Sequence, residues 1–208
     1  YLLLGQLMGG GMGMPRFEAA EVGNLELAWL IPLSLIGTVC GWLYFVSEHV
    51  SEALAHAIGE RPVAKAMLAG LMLAACGTVL PYTMFAGETQ ADVLMETYLT
   101  IPAGVLIATG LVKAMLTPAL INMGWRGGHF FPVIFSGVSL GYGLAILTGA
   151  DPVFCVAVCT ASTMGAVMRQ PVMVVGLLLM CFPLKGIVCM IVAAVIAAGI
   201  PLPKPLRK

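Results

Sequence analysis

The stretch Gly124-Trp125-Arg126-Gly127-Gly128-His129-Phe130-Phe131-Pro132 separates two long apolar runs, Ile101–Met123 and Val133–Leu147. A break that carries an arginine and a histidine is costly in such apolar sequence, unless protein, water or an ion satisfies the backbone that it frees. Its glycines allow a sharp turn, and Pro132 suits the first turn of a helix. The stretch predicts a helix that begins within the membrane, with unpaired N–H groups facing an anion. An extramembrane turn between two spanning helices is the alternative.

The composition is that of a protein embedded in a membrane. Hydrophobic residues make up 60% of the 208 residues and charged residues only 10%, whereas a soluble domain is about half apolar and about a quarter charged. The formal net charge is zero, so nothing indicates a nucleic-acid partner. We expect a multi-pass integral protein of a bacterial inner membrane, with the lipid bilayer around it.

Glycine and proline cut the apolar sequence into segments of uneven length. Several segments are shorter than the ~20 residues that a spanning helix needs. This pattern is typical of the broken helices that transporters and channels place near the middle of the membrane. The predicted helical segments are Leu27–Val46 with an amphipathic extension Ser47–His56, Val63–Leu80, Thr100–Met123, Val133–Leu147, Val153–Val167, Val172–Phe182 and Leu184–Ile200.

The segments between these helices are shorter or more polar. Leu2–Met14 is apolar but too short to span a bilayer. Pro15–Glu26 and Phe85–Asp92 are polar, and we expect both to be surface loops. Aromatic residues near the two ends of Leu27–Val46 are expected at the membrane interface; they are Trp29, Trp42 and Tyr44.

Small residues mark two of the helical segments for close packing. Val63–Leu80 is rich in alanine and glycine, and Gly137, Gly141 and Gly143 follow one another along Val133–Leu147. Small side chains let helix backbones approach closely in a membrane. We therefore expect both segments to pack against other helices.

The sequence predicts neither a metal site nor a catalytic group. His49 and His56 share one helix face with Glu52 between them, but a metal site needs closer ligands and a third partner. The cysteines lie in apolar runs without the spacing of a disulfide framework or a zinc site, and we expect buried thiols. They are Cys40, Cys76, Cys155, Cys159, Cys181 and Cys189. Lys113 lies near the centre of Thr100–Met123 and is a candidate functional residue, because a charge at that depth is costly.

The motif Gly128-x-Phe130-x-Pro132 resembles the G-x-F-x-P anion-site motif of the CLC family of chloride channels and chloride/proton antiporters. Lys113 stands where members carry a basic residue in the helix before that motif. Met168-Arg169-Gln170-Pro171 looks like the family's I-R-x-P element. The order of segments is similar to the second half of the family fold. The resemblance implies an all-α membrane protein with broken and re-entrant helices, in which residues 1–208 form the second inverted-repeat half of the membrane domain.

The resemblance also implies the function and the site. A CLC-type voltage-gated chloride channel or antiporter would hold a chloride ion, or another small anion, at Gly128, His129, Phe130, Phe131 and Pro132. The backbone N–H groups of His129 and Phe130 would bind it. Lys113 and Arg126 would shape the electrostatics of the pore. No cofactor is expected, since chloride is the transported ligand. His129 beside the anion could couple binding to acidity, with flux rising as the pH falls; a His129 side chain turned toward the vestibule, without a role, is the alternative.

The family resemblance further implies partners for this chain. The expected partner is a second copy in a homodimer, with a contact face formed by Leu2–Gly13, Val172–Phe182 and Leu184–Ile200. We also expect an N-terminal half of the same subunit, because the family's serine-bearing filter motif and its glutamate motif G-R-E-G-P are absent from this sequence. The tyrosine-bearing helix that members place after the position of Ile200 is absent too. The glutamate that antiporters of the family use for protons is also a first-half residue, so channel and antiporter both stay open.

Three other classes of function compete with this one. An unrelated secondary transporter for a small organic anion would use the same helix-terminus chemistry. A membrane-bound enzyme would need acid–base groups in the membrane, and the carboxylates of Glu88 and Asp92 are expected in a solvated loop instead. A purely structural assembly module is the third alternative.

Overall fold

The computed structural model describes residues 15–84 and 86–203. Within these ranges the chain forms eight α-helices and no β-strand. Short 3-10 turns lie between consecutive helices at Pro81–Thr83 and Tyr98–Thr100. The predicted all-α class is confirmed. The helices are α1 Asn24–Ile58, α2 Pro62–Val79, α3 Glu88–Thr97, α4 Ala103–Asn122, α5 Phe130–Thr148, α6 Pro152–Met168, α7 Pro171–Leu178 and α8 Ile187–Gly199.

Helix lengths divide the described chain into spanning and shorter elements. α1, α2, α4 and α5 are long and apolar enough to cross a membrane. α6 and α8 are apolar but shorter, and α7 has only 8 residues. The predicted uneven segments are therefore confirmed. α1 joins the predicted span Leu27–Val46 and its extension Ser47–His56 into one continuous helix of 35 residues.

The core is built around α6. Every residue from Phe154 to Ala166 is buried, and α1, α5 and α8 all pack against this helix. α5 is also largely buried, between α4 and α6. A helix without a polar face is stable only where other helices surround it. The short α6 thus forms the centre of the described bundle.

Glycines set the distance between α5 and α6. A Cβ atom built on Gly137 would lie 2.4 Å from the Cα of Thr160, and one built on Gly141 would lie 2.5 Å from the Cα of Val156. On another face of α5, a Cβ at Gly143 would lie 2.9 Å from the carbonyl oxygen of Ala103 in α4. The predicted close packing of these three glycines is confirmed.

The ends of α6 are fixed by polar contacts. Asp151 is its N-cap, and the carboxylate accepts a hydrogen bond of 2.7 Å from the N–H of Phe154. At the other end, Arg169 adopts a left-handed conformation with φ 55°. Its guanidinium donates to the carbonyl of Ala198 at 3.0 Å and to that of Ile200 at 3.4 Å, at the end of α8. The predicted tight connection and the predicted break at Met168–Pro171 are both confirmed.

The packing predicted for Val63–Leu80 is wrong within the described chain. Ala69 is the one buried residue of α2, while Val63 and Met67 are each 71% exposed. The helix meets α1, α4 and the Pro81–Thr83 turn through few contacts. Ala69 packs against Ala55 of α1 and Met123 at the end of α4, whereas the other small residues of the helix are exposed or half-buried.

Both predicted surface loops contain more structure than expected. In Pro15–Glu26, the ring of Phe17 stacks on Phe182 with centroids 4.4 Å apart, and its N–H donates to the carbonyl of Cys181 at 2.9 Å. This segment is therefore pinned to the bundle by a buried aromatic. In the second loop, Glu88 begins α3, because the buried Ala91 and Leu94 give the segment an apolar face. Phe85 and the predicted Leu2–Met14 segment lie outside the described residues.

Polar contacts hold α1 against α4. Asn122 donates its side-chain N–H to the hydroxyl of Ser51 at 2.8 Å and to the carbonyl of Glu48 at 3.1 Å. The hydroxyl of Ser47 donates to the carbonyl of Met115 at 2.6 Å. Tyr44, expected as an interfacial aromatic, is only 8% exposed. The ring faces protein instead.

Candidate anion site

The chain leaves α4 through a tight turn at Gly124. This glycine has φ 95°, and the N–H groups of Gly124 and Trp125 donate to the carbonyls of Ile121 and Leu120. A left-handed glycine is a common way to end a helix. Gly127 and Gly128 do not have positive φ, and a Cβ on either would meet nothing within 4 Å. The sharp turn expected at these two glycines is therefore made by Gly124.

α5 begins deep beside α4. Ser139 donates its hydroxyl to the carbonyl of Leu106, and a Cβ at Gly110 would lie 2.6 Å from the carbonyl of Ser136. This antiparallel register places Phe130, the first residue of α5, level with Leu116. Since α4 continues for six further residues at ~1.5 Å each, α5 starts roughly 9 Å short of the end of α4. The loop between them turns back along α4, as a re-entrant segment does.

The first turn of α5 leaves backbone donors for a ligand. His129 is the N-cap, and the first bond of the helix runs from the N–H of Val133 to its carbonyl at 3.1 Å. The N–H groups of His129, Phe130 and Phe131 precede that bond and so lack an acceptor within the helix. Pro132 carries no N–H. The first turn has no acidic side chain, so no negative charge in it neutralises the positive end of the helix dipole.

A cavity of about 270 Å³ lies between this helix start and α4. It brings together Lys113, Arg126, Gly127, Gly128 and Pro132. None of the residues that line it is acidic. The others are Leu73 of α2, Ala86, Leu116, Thr117, Leu120 and Ile121 of α4, and Trp125.

Lys113 is the buried cation of this cavity. It is only 4% exposed, and its ammonium donates to the carbonyl of Thr83 at 2.6 Å. Burying an ammonium is costly unless polar groups compensate it. A carbonyl supplies a hydrogen bond without removing the positive charge. The bond also attaches α4 to the 3-10 turn that follows α2. Arg126, in contrast, lies in the exposed loop.

The remaining residues of the predicted motif face other surroundings. The ring of His129 stacks on Phe130 with centroids 4.5 Å apart and lies 6.4 Å from the ring of Tyr44 on α1. Phe131 lines a separate narrow space together with Phe135 of α5. The side chains of these three motif residues are therefore not among those that line the cavity, and only their backbone belongs to the helix start.

Sequence reasoning missed three neighbours of this site. Thr83 contributes a main-chain carbonyl, which carries no sequence signature. Tyr44 reads as an interfacial aromatic because it follows a long apolar run. Leu73 belongs to a helix with little other contact to the bundle. Of the three, only Tyr44 left a signal in the sequence. The predicted helical extension Ser47–His56 continues past it, so Tyr44 lies well inside α1 and not at its end.

Other clusters of polar residues lie away from this cavity. Glu88 and Asp92 belong to α3 and do not line it. Partial burial raises the pKa of Asp92, and the nearby Glu96 carboxylate raises it further. Within residues 15–84 and 86–203, no three histidine, cysteine or acidic side chains form a group that could hold a metal. The six cysteines are not in disulfides.

Comparison with known proteins decides the family. A family model described as voltage gated chloride channel matches residues 3–201. The chain belongs to this family. Among curated proteins, none matches it at a significant level.

A solved structure supports the same fold. It is the crystal structure of a CLC-type fluoride/proton antiporter, which superposes with a TM-score of 0.76 at 20% sequence identity. The match covers 98% of this chain and 52% of the antiporter chain, so this chain spans about half the length of that protein. This chain is thus an all-α, multi-pass membrane protein of the CLC type.

Proposed function

We propose that this CLC-family chain forms part of an anion pathway, as a voltage-gated chloride channel or a chloride/proton antiporter, with chloride as the transported ion. Family membership supports transport of an anion. The similar solved structure is that of a fluoride/proton antiporter, so exchange coupled to protons and selectivity for another small halide belong to the same proposal.

The observation that carries the proposal is the cavity at the start of α5. It combines a buried ammonium, an exposed guanidinium and the first turn of a helix without any acidic lining residue. Unpaired N–H groups at a helix N-terminus favour an anion, and the dipole adds to the attraction. We assign the N–H groups of His129 and Phe130 as backbone donors, joined by that of Phe131. Lys113 is the charge that lowers the energy of a buried anion, and Arg126 is the group that attracts anions from solution.

The proposed assembly follows the family. This chain would act as the second half of a subunit, completed by an N-terminal half, and two subunits would form a homodimer in a bacterial inner membrane. The described part of the proposed dimer face carries exposed apolar side chains, which are compatible with a helix–helix contact and with lipid. Val172 is 90% exposed, Leu184 72% and Val188 67%.

Anion efflux from liposomes tests the proposal. The full-length protein would be reconstituted and chloride and fluoride efflux measured with and without a proton uncoupler. Lys113→Gln should reduce flux at least about tenfold, which corresponds to about 1.4 kcal/mol of anion stabilisation. Lys113→Arg, which keeps the charge, should retain more flux. Lys65→Gln on the exposed α2 is the matched control and should leave flux unchanged.

Each outcome has a distinct meaning. Efflux that the uncoupler leaves unchanged favours a channel, and efflux that carries protons favours an antiporter. Equal flux in the wild-type protein and in a correctly folded Lys113→Gln variant would contradict the role of this cavity. Absence of halide flux, together with uptake of a small carboxylate, would favour a transporter for organic anions.

A further inference from the structure

The side chain of Phe131 lies on a different face of α5 from the anion cavity. Pro132, the next residue, lines the cavity, whereas Phe131 is about 100° away around the helix and lines a separate narrow space. Ile134 and Phe135, three and four residues further on, share this second face and line the same space. Phe131 therefore combines a backbone donor at the helix start with an aromatic ring that is packed elsewhere.

Three segments that are distant in the chain complete this space, which we call the Phe131 seat. They contribute Pro15 before α1, Gly87 and Ala91 at the start of α3, and Cys181 after α7. All four of these residues are buried. The free space in the seat is only about 10 Å³, which leaves room for one water molecule at most. The ring of Phe131 thus meets closely packed neighbours.

The walls of the seat are themselves held in place. Gly87 is the N-cap of α3 with φ 106°, and a Cβ atom there would lie 2.5 Å from the Cβ of Phe135. Two residues after Pro15, the buried Phe17 donates its N–H to the carbonyl of Cys181 at 2.9 Å. The segment before α1 and the turn after α7 are therefore joined to each other beside the seat.

The first turn of α5 needs support from side chains, because its own backbone provides little. His129, the N-cap, makes no side-chain hydrogen bond to the turn, and the N–H groups ahead of Val133 lack acceptors within the helix. Helix ends fray readily where such contacts are missing. Fixing the backbone of each frayed residue has an entropic cost. Packing of the Phe131 ring in the seat is a contact that can keep this turn ordered.

We infer that Phe131 is a positioning residue for the anion. Its ring fixes the first turn of α5, so that the N–H groups of His129, Phe130 and Phe131 are already oriented when the anion arrives. A preorganised site avoids the loss of entropy that ordering at the moment of binding would bring. The inference rests on the proposed function for the location of the anion. It assigns a role to the side chain of Phe131, whereas anion binding by the helix start requires only its backbone.

Two substitutions separate the ring from the donors. Phe131→Ala keeps all three N–H groups and every charge but empties the seat. We expect it to weaken chloride binding at least about tenfold, because binding would then have to order the first turn. Phe131→Leu refills part of the seat and should recover most of the affinity. Phe17→Ala leaves α5 unchanged and loosens one wall, so it should weaken binding in the same direction by a smaller factor.

The test is isothermal titration calorimetry of the full-length protein with chloride and with fluoride, alongside thermal unfolding of each variant. Tyr98→Ala is the matched control. Tyr98 is a half-buried aromatic that stacks on Tyr142, toward the opposite end of α5, with ring centroids 4.5 Å apart. Phe131→Ala and Tyr98→Ala should both lower the Tm, but only Phe131→Ala should weaken halide binding.

Three outcomes would overturn the inference. The first is no halide binding to the wild-type protein. The second is equal halide affinity in wild type and in folded Phe131→Ala, and if that variant does not fold, the same comparison is made with Phe17→Ala. The third is an equal loss of affinity in Phe131→Ala and Tyr98→Ala.

Halide efflux from liposomes separates this result from the proposed function. Halide binding that depends on Phe131, in a protein without efflux, would sustain the inference and refute the transport proposal. Efflux together with binding that is independent of Phe131 would do the reverse.

Discussion

Replacing Gly137 by alanine should destabilise the bundle through one methyl group. The Cβ of Gly137→Ala would lie 2.4 Å from the Cα of Thr160 and 2.9 Å from its backbone nitrogen, whereas ordinary contacts fall at 3.4–4 Å. α5 and α6 would have to separate by about 1 Å. A gap of that size already forfeits roughly a quarter to a half of each contact energy between the two surfaces.

α6 has no free direction in which to move. On its α1 side, a Cβ at Gly37 would lie 2.9 Å from the carbonyl of Cys159, and on its α8 side a Cβ at Gly165 would lie 2.7 Å from that of Ala194. The cost should therefore reach the upper end of the ~1–3 kcal/mol typical of overpacking. Alanine recovers about 0.5–1 kcal/mol relative to glycine within a helix. The net loss is about 2 kcal/mol.

Thermal unfolding of the full-length protein in detergent would measure this effect. A loss of about 2 kcal/mol corresponds to a fall in Tm of roughly 4–8 °C for a chain of 150–250 residues, and to a smaller fall for the longer full-length protein. Gly70→Ala is the matched control, because a Cβ at Gly70 in α2 would meet nothing within 4 Å. Its Tm should stay unchanged or rise slightly. If Gly137→Ala and Gly70→Ala have the same Tm, the glycine contacts do not set the spacing of α5 and α6.

Two further predictions concern a helix cap and the proposed dimer. Asp151→Ala removes the acceptor of the Phe154 N–H and should lower the free energy of unfolding by about 1 kcal/mol. Asp92→Ala, on the exposed face of α3, is the control. An equal loss of stability in both variants would contradict the role of Asp151 as a cap. Val172→Arg should shift the full-length protein from dimer to monomer in size-exclusion chromatography with light scattering. Val63→Arg, at an exposed position of α2, should leave it dimeric, and a dimeric Val172→Arg would argue against this face.

Local patterns in the sequence predicted most of the helices. Breaks such as Gly149–Pro152 and Met168–Pro171 show where apolar runs end, because glycine, proline and a capping aspartate act within a few residues. The glycines of α5 were predicted for the same reason, since only close packing explains their spacing in an apolar run. The ends of the helices, the all-α fold class and the family resemblance can all be predicted from residues that are close together in the sequence.

Features that depend on neighbours distant in the chain were not predictable. A small-residue helix is equally compatible with lipid and with protein, so composition could not show that α2 is largely exposed. Phe17 lies in the otherwise polar segment Pro15–Glu26, and its stacking partner Phe182 is distant in the sequence, so the contact could not be predicted. The acceptor of Lys113 is a main-chain carbonyl, which any residue could provide. The motif predicted the helix start at the site, whereas the other residues that line the cavity could be identified only from the structure.

The length of α1 determines how the bundle sits in a bilayer. Its 35 residues extend about 52 Å, and a hydrocarbon core is about 30 Å thick. A tilt within the ~0–40° range of known spanning helices cannot absorb this difference. The last turns, which begin at Glu48, must therefore stand in the headgroup layer or in water. Tyr44 lies one turn below that level, and its neighbour His129 marks the start of α5. An anion at this helix terminus would thus lie toward the side of the membrane at which the last turns of α1 emerge.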